Sequence, residues 1–410
     1  MDSESGFYRI PSTLNECRDV FVVFAKNGHD AAIEALENIP FDFTLWKNKR
    51  ILIKPNAGRL VSPNLGINTS PEVVAGILDF FLEKGVRNLV VGDSPILGVK
   101  SLEALEKCGI AEEARKRNVE IVDLDAAPPV KIAVPSPNVT TNLKVCRLVT
   151  EVDHIVSIPV MKTHMHTMVS LGLKNMKGCL YEREKVRLHQ LPPQDEVYPG
   201  EKPLDIAISD LAKVLLPDLT VVDGIIGQDG MGPSAGTPKS FGAVVASFNC
   251  MAADVVASEL MGIDPVSVRH LQLAFKELKK SGIEDFQNLE KFKVFPENYI
   301  ENGEKFQPPP EKISFEFENV VVEDKDSCSA CLSTALMFLK RYEEGLADYY
   351  NKEKPLRIAL GKGIGHQKEG TLLIGNCTAK WRDKTVFIKG CPPVASDIWK
   401  AIRKIQEEER

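Results

Sequence analysis

The sequence of 410 residues has no long apolar run and no recognisable leader. No stretch approaches 18 consecutive apolar residues, which excludes a helix that spans a membrane. The first ten residues, MDSESGFYRI, lack both the positive flank and the apolar core of a secretion signal. We therefore expect a cytoplasmic protein with no membrane partner.

The chain also lacks an excess of positive charge. Lys and Arg number 51 against 57 Asp and Glu, so the formal net charge is −6. A general nucleic-acid binder needs a basic face that contacts phosphates, and we expect no nucleic-acid partner. Charged residues at 26% and apolar residues at 43% are ordinary for a globular protein and say nothing further about function.

Several common catalytic motifs are absent. The chain contains no G-x-S-x-G, no H-E-x-x-H and no glycine-rich loop ending in G-K-[ST], which disfavours serine hydrolases, zinc peptidases and P-loop proteins. The glycine-rich residues 361–365 follow a predicted strand, but another strand follows them instead of a helix. They therefore lack the context of a dinucleotide-binding motif.

Nine cysteines are present, and four of them stand at predicted element ends in the last quarter of the chain. Cys328 and Cys331 form a C-x-x-C pair at the start of a helical pattern, whereas Cys377 and Cys391 follow two short β-rich runs. In a reducing compartment, cysteines favour metal ligation over disulfides. Sets of four cysteines hold 4Fe-4S clusters, and proline often follows a ligand, as it does after Cys391. The pattern predicts a 4Fe-4S iron–sulfur cluster; zinc, unliganded core cysteines or a disulfide are the alternatives.

Residues 19–125 alternate short β-rich runs with longer helical ones, which is typical of a parallel sheet with crossover helices. One helix has clear ends, since Ser70 precedes Pro71 as an N-cap and Gly85 follows its apolar pattern as a C-cap. A second α/β segment follows residue 150, and residues 301–312 are polar and proline-rich, as expected of a linker.

The length of the chain exceeds what one core usually supports, so two or three domains are expected. We predict an α/β fold of mostly parallel sheets with crossover helices. Its parts would be one α/β subdomain over residues 1–150, a second over 151–312, and a small C-terminal α/β unit over 313–410 that carries the four cysteines.

Polar side chains follow several predicted strands. These residues are Lys54, Asn56, Asp93, Lys162, His164 and Asp223. Ligands of open parallel sheets gather at the carboxyl ends of the strands, so these side chains should share one cleft. Each of them alone is equally compatible with a helix cap or a turn.

The stretch from Met161 to His189 is basic within an acidic chain. Lysines and histidines clustered after a strand are typical of a site for carboxylate or phosphate, and histidine also moves protons near neutral pH. The stretch therefore predicts a small anionic substrate. A solvated, lysine-rich loop is the alternative interpretation.

Five segments carry a family resemblance: ILIKPN, TSPEVVAGILDFFLEKGVRNLVVGDSP, VDHIVSIPVMKTHMHTMVSLGLKNMKG, VVDGIIGQDGMGPSAGTP and AADVVASELMGIDP. They resemble the family catalogued as domain of unknown function 362 over about residues 50 to 270. The K-x-H pattern followed by L-K-N-x-x-G is the most specific part. The order of elements is also distantly similar to lactate-racemase-like proteins, although no motif of theirs is matched.

The resemblance implies an α/β protein associated with iron–sulfur chemistry, frequently with a ferredoxin-like module. This chain departs from that pattern, because it lacks a tandem C-x-x-C-x-x-C-x-x-x-C run. Positions that match the family motifs are Lys54, Asn56, Asp93, Lys162, His164, Lys174, Asn175, Asp223 and Asp254.

We therefore expect an iron–sulfur enzyme whose cluster faces the cleft of the α/β core. The candidate catalytic residues are Lys162, His164, Asp93 and Asp223; the candidate substrate-binding residues are Lys54, Asn56, Lys174 and Asn175; the candidate metal ligands are Cys328, Cys331, Cys377 and Cys391. A cluster with four ligands transfers electrons and implies an electron-transfer partner, whereas an open iron acts as a Lewis acid. A non-catalytic carrier or sensor, a structural-zinc protein and a homo-oligomer are left open.

Overall fold

The structure, a computed structural model, describes residues 11–192, 194–282, 286–310, 317, 319–383 and 385–408. Its strands are β1 Val20–Phe24, β2 Ile51–Pro55, β3 Leu89–Asp93, β4 Glu120–Asp123, β5 Val130–Ala133, β6 Asn142–Val145, β7 His154–Ile158, β8 Val160–His164, β9 Met168–Val169, β10 Leu219–Asp229, β11 Thr237–Ser247, β12 Val294–Phe295, β13 Val320–Asp324, β14 Leu356–Leu360, β15 Leu372–Ile374 and β16 Val386–Ile388. Its helices are α1 Gly28–Glu37, α2 Pro71–Glu83, α3 Ser101–Lys107, α4 Ile110–Lys116, α5 Arg147–Glu151, α6 Gly172–Asn175, α7 Glu184–Leu188, α8 Pro203–Ala212, α9 Cys250–Leu260, α10 Arg269–Lys280, α11 Ser329–Leu346 and α12 Ala395–Glu408.

The main sheet has the strand order β12-β1-β11-β10-β7-β2-β3-β4; in addition, β8 pairs with β10, and β9 pairs with β8. Strands β10, β7, β2, β3 and β4 form a continuous parallel run, and β11 is antiparallel to both of its neighbours. Strands β2 and β3 are buried throughout, as expected of parallel strands that helices cover on both faces. The predicted α/β class with mostly parallel sheets is confirmed.

Helix α2 has the ends that the sequence predicts. The Ser70 side chain accepts a hydrogen bond from the Glu72 backbone N–H at 3.2 Å, and Pro71 occupies the first helical position. Gly85 follows the helix with φ +82°, a left-handed conformation that glycine adopts without steric cost. Both cap predictions are confirmed.

The boundary expected at residue 150 does not separate two sheets. Strand β7, from the predicted second subdomain, lies between β10 and β2 and pairs with β2 over the full length of both strands. Residues 1–150 and 151–312 thus contribute strands to one sheet, because parallel pairing joins segments that are distant in the chain. The expected boundary at residue 312 lies outside the described residues.

The C-terminal unit has a sheet of its own, β13-β14-β15-β16, in which every neighbouring pair is parallel. Helices α11 and α12 pack on it around a separate apolar cluster that includes Phe338, Leu339 and Ile398. The expected small α/β unit is therefore present. No helix in the described part of the chain is long and apolar enough to cross a membrane.

Candidate functional site

The carboxyl ends of β2, β3 and β8 border a cavity of about 140 Å³, which we call the central cavity. Side chains that the sequence singled out line it: Asn56, Asp93, Lys162, His164, Lys174 and Asn175. Asn56, Asp93, Lys162 and His164 meet because parallel strands present their carboxyl ends at one edge of the sheet, whereas Lys174 and Asn175 come from helix α6. Cys328 and Ala330, from the C-terminal unit, complete the lining. The cavity therefore lies between the two sheets.

Lys54 lies behind the wall of the cavity and does not line it. Its side chain is fully buried, and Nζ lies 2.7 Å from Asp93 Oδ1 and 3.4 Å from Asn175 Oδ1. The other Asp93 oxygen accepts the Ala57 backbone N–H at 2.8 Å. Lys54 was expected to bind substrate, but here its charge is matched by a buried carboxylate, and a buried charge left without its partner is costly.

Two asparagines connect this ion pair to Lys162. Asn56 Nδ2 donates to Asn175 Oδ1 at 3.1 Å, and Asn175 Nδ2 donates to Ser157 Oγ at 2.9 Å. Lys162 Nζ donates to Asn56 Oδ1 at 2.9 Å and to the Ile67 carbonyl at 2.6 Å. The network fixes the position of the Lys162 amine at the wall of the cavity.

Helix α6 carries Lys174 and is held by Asp254 on α9. The two Asp254 carboxylate oxygens accept the backbone N–H groups of Gly172 at 2.6 Å and Leu173 at 2.9 Å. Burial raises the pKa of Asp254 to about 7, while these two hydrogen bonds oppose the rise. Asp254 thus positions the helix that presents Lys174, and it is not part of the cavity wall.

His164 presents an unmatched polar atom. Its Nδ1 accepts the His166 backbone N–H at 3.0 Å, so in the neutral ring the hydrogen is on Nε2. Burial, followed by the charge of Lys174, lowers the pKa of His164 well below its ordinary value and keeps the ring neutral. Nε2 is buried and has no hydrogen-bond partner among the described residues. The ring therefore offers a hydrogen-bond donor with no acceptor.

The lysines of the cavity are destabilised in their charged form. Burial, followed by repulsion from Arg59, lowers the pKa of Lys162 to about 7. Burial, followed by repulsion from Lys162, lowers that of Lys174 to about 7 as well. Burial also lowers the pKa of Lys177. An anion in the cavity would offset both effects and restore the positive charge.

Asp223 lies elsewhere, and its expected place in the cleft is corrected. Strand β10 does not end at Asp223 but continues to Asp229 beside β11, so this carboxylate is inside the strand. Its oxygens accept the backbone N–H groups of Ser70 at 2.7 Å and Ile225 at 3.1 Å. Asp223 lines a second cavity with Glu72, and it connects β10 to the start of α2.

The four predicted ligand cysteines lie at the carboxyl ends of the C-terminal sheet. Their loops are joined by backbone hydrogen bonds, from Gly375 N–H to the Ile388 carbonyl at 3.1 Å and from Asn376 N–H to the Gly390 carbonyl at 2.8 Å. A Cβ on Gly375 would lie 2.9 Å from Cys331 Sγ. The expected convergence of three element ends is therefore observed.

The thiols influence one another electrostatically. The pKa of Cys328 is lowered to about 6, first by a hydrogen bond with the Cys331 side chain and also by backbone N–H groups at the start of α11. The pKa of Cys331 is raised by that hydrogen bond, by burial and by the charges of Cys377 and Cys391. Within the described ranges, no three His, Cys, Asp or Glu side chains have the arrangement of ligands to a metal ion.

Arg59 and Ser234 were not singled out from the sequence. Both line the central cavity, and Arg59 Nε donates to Ser234 Oγ at 3.1 Å. Burial lowers the pKa of Arg59 to about 10. Its sequence signal was weak, because Arg59 stands four residues beyond the end of β2 in a loop.

A thylakoid-associated protein of Synechocystis sp. is 28% identical over 219 residues, which are 53% of this chain and 65% of that protein. The chain therefore covers less than two thirds of the length of this relative. The lactate racemase apoprotein of Thermoanaerobacterium thermosaccharolyticum matches 61% of this chain and 59% of its own at 14% identity, with a TM-score of 0.34. A protein from Thermotoga maritima matches 58% and 60%, also at 14% identity, with a TM-score of 0.35.

The family model described as "Domain of unknown function (DUF362)" matches residues 51–259. This range covers half of the chain and includes the strands whose carboxyl ends border the central cavity. The matched range also contains the K-x-H pattern at Lys162 and the L-K-N-x-x-G pattern that carries Lys174. The chain belongs to the family of proteins with domain of unknown function 362.

Proposed function

We propose that this protein is an iron–sulfur enzyme that binds a small anionic substrate in the central cavity, with the cluster held by Cys328, Cys331, Cys377 and Cys391. The observation that carries the proposal is the position of Cys328, which lines the same cavity as Lys162 and His164. A cluster bound through this thiol would lie next to a substrate held in the cavity.

The side chains of the cavity have separate roles in this proposal. Lys162 and Lys174 bind the anion and become fully protonated on doing so. Neutral His164 donates its Nε2 hydrogen to the substrate and can pass it on, since it has no other acceptor in the described part of the chain. Asp93 positions Lys54 and the Ala57 loop, because both of its oxygens are already engaged.

The cysteine set suits a cluster. In a 4Fe-4S cluster each cysteine binds a different iron, so the four thiols do not need the spacing of ligands to one ion. Because Gly375 has no side chain, there is space beside Cys331 and Cys377 that a Cβ would fill. When bound, the cluster would supply electrons to the substrate or, with an open iron, a Lewis acid. The expected cytoplasmic location is part of the proposal, because free thiols persist in a reducing compartment.

The test is anaerobic purification of the full chain with counts of iron, sulfide and zinc. We expect a brown protein with broad visible absorption, and an iron content that falls in Cys377→Ser. Cys17→Ser, which changes a buried cysteine outside the C-terminal unit, should keep its iron. A colourless wild-type protein with stoichiometric zinc, which falls in Cys377→Ser but not in Cys17→Ser, would replace the cluster by a structural zinc site.

A further inference from the structure

We infer that the ligand of the central cavity is an oxyanion with at least two negative charges and four oxygens, such as inorganic phosphate or a short dicarboxylate. The inference rests on the proposed anion site and narrows its substrate class. A monocarboxylate would leave most of the positive charge around the cavity unmatched.

The cavity has more cations than carboxylates. The cationic side chains in its lining are Arg59, Lys162, Lys174, Lys177 and Lys185. Among the described residues, Lys185 alone of these has a carboxylate within 4 Å, Asp125 at 3.9 Å. Asp93 also lines the cavity, but its charge is matched by Lys54. Four cations are therefore without a carboxylate partner in the part of the chain that the structure describes.

The cations of the cavity still outnumber the negative charges when the cysteine thiols are taken into account. Cys328 lines the same cavity, and its charge acts on both Lys177 and Arg59; we assign it to Lys177. Arg59, Lys162 and Lys174 then remain. The field of Asp205 reaches Lys174, but no ion pair joins the two, and Asp205 Oδ1 lies 3.4 Å from His270 Nδ1 instead. A ligand with a single charge cannot match the three cations that remain.

The same groups also offer more hydrogen-bond donors than one carboxylate can accept. His164 Nε2 is buried and has no acceptor among the described residues, and the half-buried Lys174 makes no side-chain hydrogen bond among them. Arg59 uses one N–H for Ser234 Oγ and has the rest of its guanidinium available. A carboxylate presents two oxygens, whereas phosphate and dicarboxylates present four. The number of donors around this cavity of about 140 Å³ therefore favours a ligand with four acceptor oxygens.

The test is isothermal titration of the full-length, anaerobically purified protein with phosphate, malonate and acetate at constant ionic strength and neutral pH. We expect phosphate, malonate or both to bind at least about tenfold more tightly than acetate, since hydrogen bonds to charged groups are strong. The preferred dianion then identifies the chemical source, phosphoryl or dicarboxylate.

Two variants test the assignment of the charges. Lys174→Met and Arg59→Gln should each reduce the ratio of dianion to acetate affinity severalfold, whereas Lys400→Met, which removes an exposed lysine on α12, should leave it unchanged. Thermal unfolding of each variant identifies any that fails to fold, and either variant alone is sufficient. Equal affinity for acetate and both dianions would overturn the inference but keep the anion site. No binding of any anion would overturn the proposed function as well.

Discussion

Lys174 shows how a single side chain is prepared to bind an anion. Its helix is held by two backbone hydrogen bonds to Asp254, and its amine is placed beside Lys162 in a buried setting. Burial and repulsion both disfavour its charge, so the folded protein without ligand holds this proton weakly. A site of this kind is organised for its ligand at a cost in stability.

The unfavourable charge of Lys174 in the folded state predicts that the stability of the protein depends on pH. A lysine with a pKa of about 7 in the folded state and an ordinary value of 10.5 when unfolded binds fewer protons folded than unfolded between these values. The free energy of unfolding therefore rises with pH in this window, by up to about 1.4 kcal/mol per pH unit for one group. Lys174→Met should remove this contribution and show a shallower rise in urea unfolding between about pH 7.5 and pH 9.5.

Lys400→Met is the matched control, because it also removes a lysine, but an exposed one on α12 that does not line the central cavity. Parallel curves for Lys174→Met and wild type would mean that Lys174 keeps an ordinary pKa. Lys162 contributes in the same direction, so the rise should be reduced but not abolished.

At the scale of elements, helix α6 and the turn after it bring the L-K-N-x-x-G pattern against the ends of β2 and β3. Asn175, in the helix, contacts Lys54 and Asn56 on the β2 side. Gly178, in the turn, passes close to the buried pair of Lys54 and Asp93. The pattern therefore has a structural reason at Asn175 and at Gly178, in addition to the lysine that lines the cavity.

Gly178→Ala should destabilise the protein by about 3 to 5 kcal/mol, the range for disrupting a buried ion pair. The added Cβ would overlap Asp93 Oδ1 and lie 2.5 Å from Lys54 Nζ, so the pair would have to separate. The free energy of unfolding in urea measures the effect. Gly365→Ala, where a Cβ meets nothing within 4 Å, is the control and should change stability little. Equal stability of both variants would show that the turn can shift freely.

At the scale of the whole molecule, the central cavity needs both sheets. The part of the chain that forms the main sheet supplies the cationic side chains of the lining, and the C-terminal unit supplies Cys328 and Ala330. The loop at Ser234 joins the two parts, since Lys340 Nζ on α11 donates to the carbonyls of Ala235 at 3.2 Å and Gly236 at 3.1 Å. Any change in how the units pack should therefore alter the cavity.

Lys340→Met should weaken phosphate binding severalfold, because the Ser234 loop loses its attachment to α11 while the cationic residues are unchanged. Hydrogen exchange of the peptide that contains residues 231–236 should become faster, and iron content should stay the same. Lys400→Met, on α12 of the same unit, is the control for loss of a lysine. Unchanged affinity together with unchanged exchange would contradict a shared cavity.

The sequence by itself determined the local structure and the kinds of chemistry. Alternating apolar patterns gave the strands, and the Ser70 and Gly85 caps gave the limits of α2, since these follow from the backbone geometry of a few neighbouring residues. Cysteines placed after β-rich runs were sufficient to predict that their loops meet, because parallel strands share an edge. The family of the chain also followed from its motifs.

Only the tertiary structure decided where strands end and which charges are matched. Asp223 lies inside β10 because pairing with β11 extends that strand to Asp229, and a pairing partner is not visible in a local pattern. Lys54 points to Asp93 and not to the cavity, since neighbouring parallel strands bring the two into contact. Residues 1–150 and 151–312 share one sheet, although two subdomains were expected, and Arg59 lines the cavity from a loop. Neither feature was predicted, because each depends on contacts between residues that are distant in the chain.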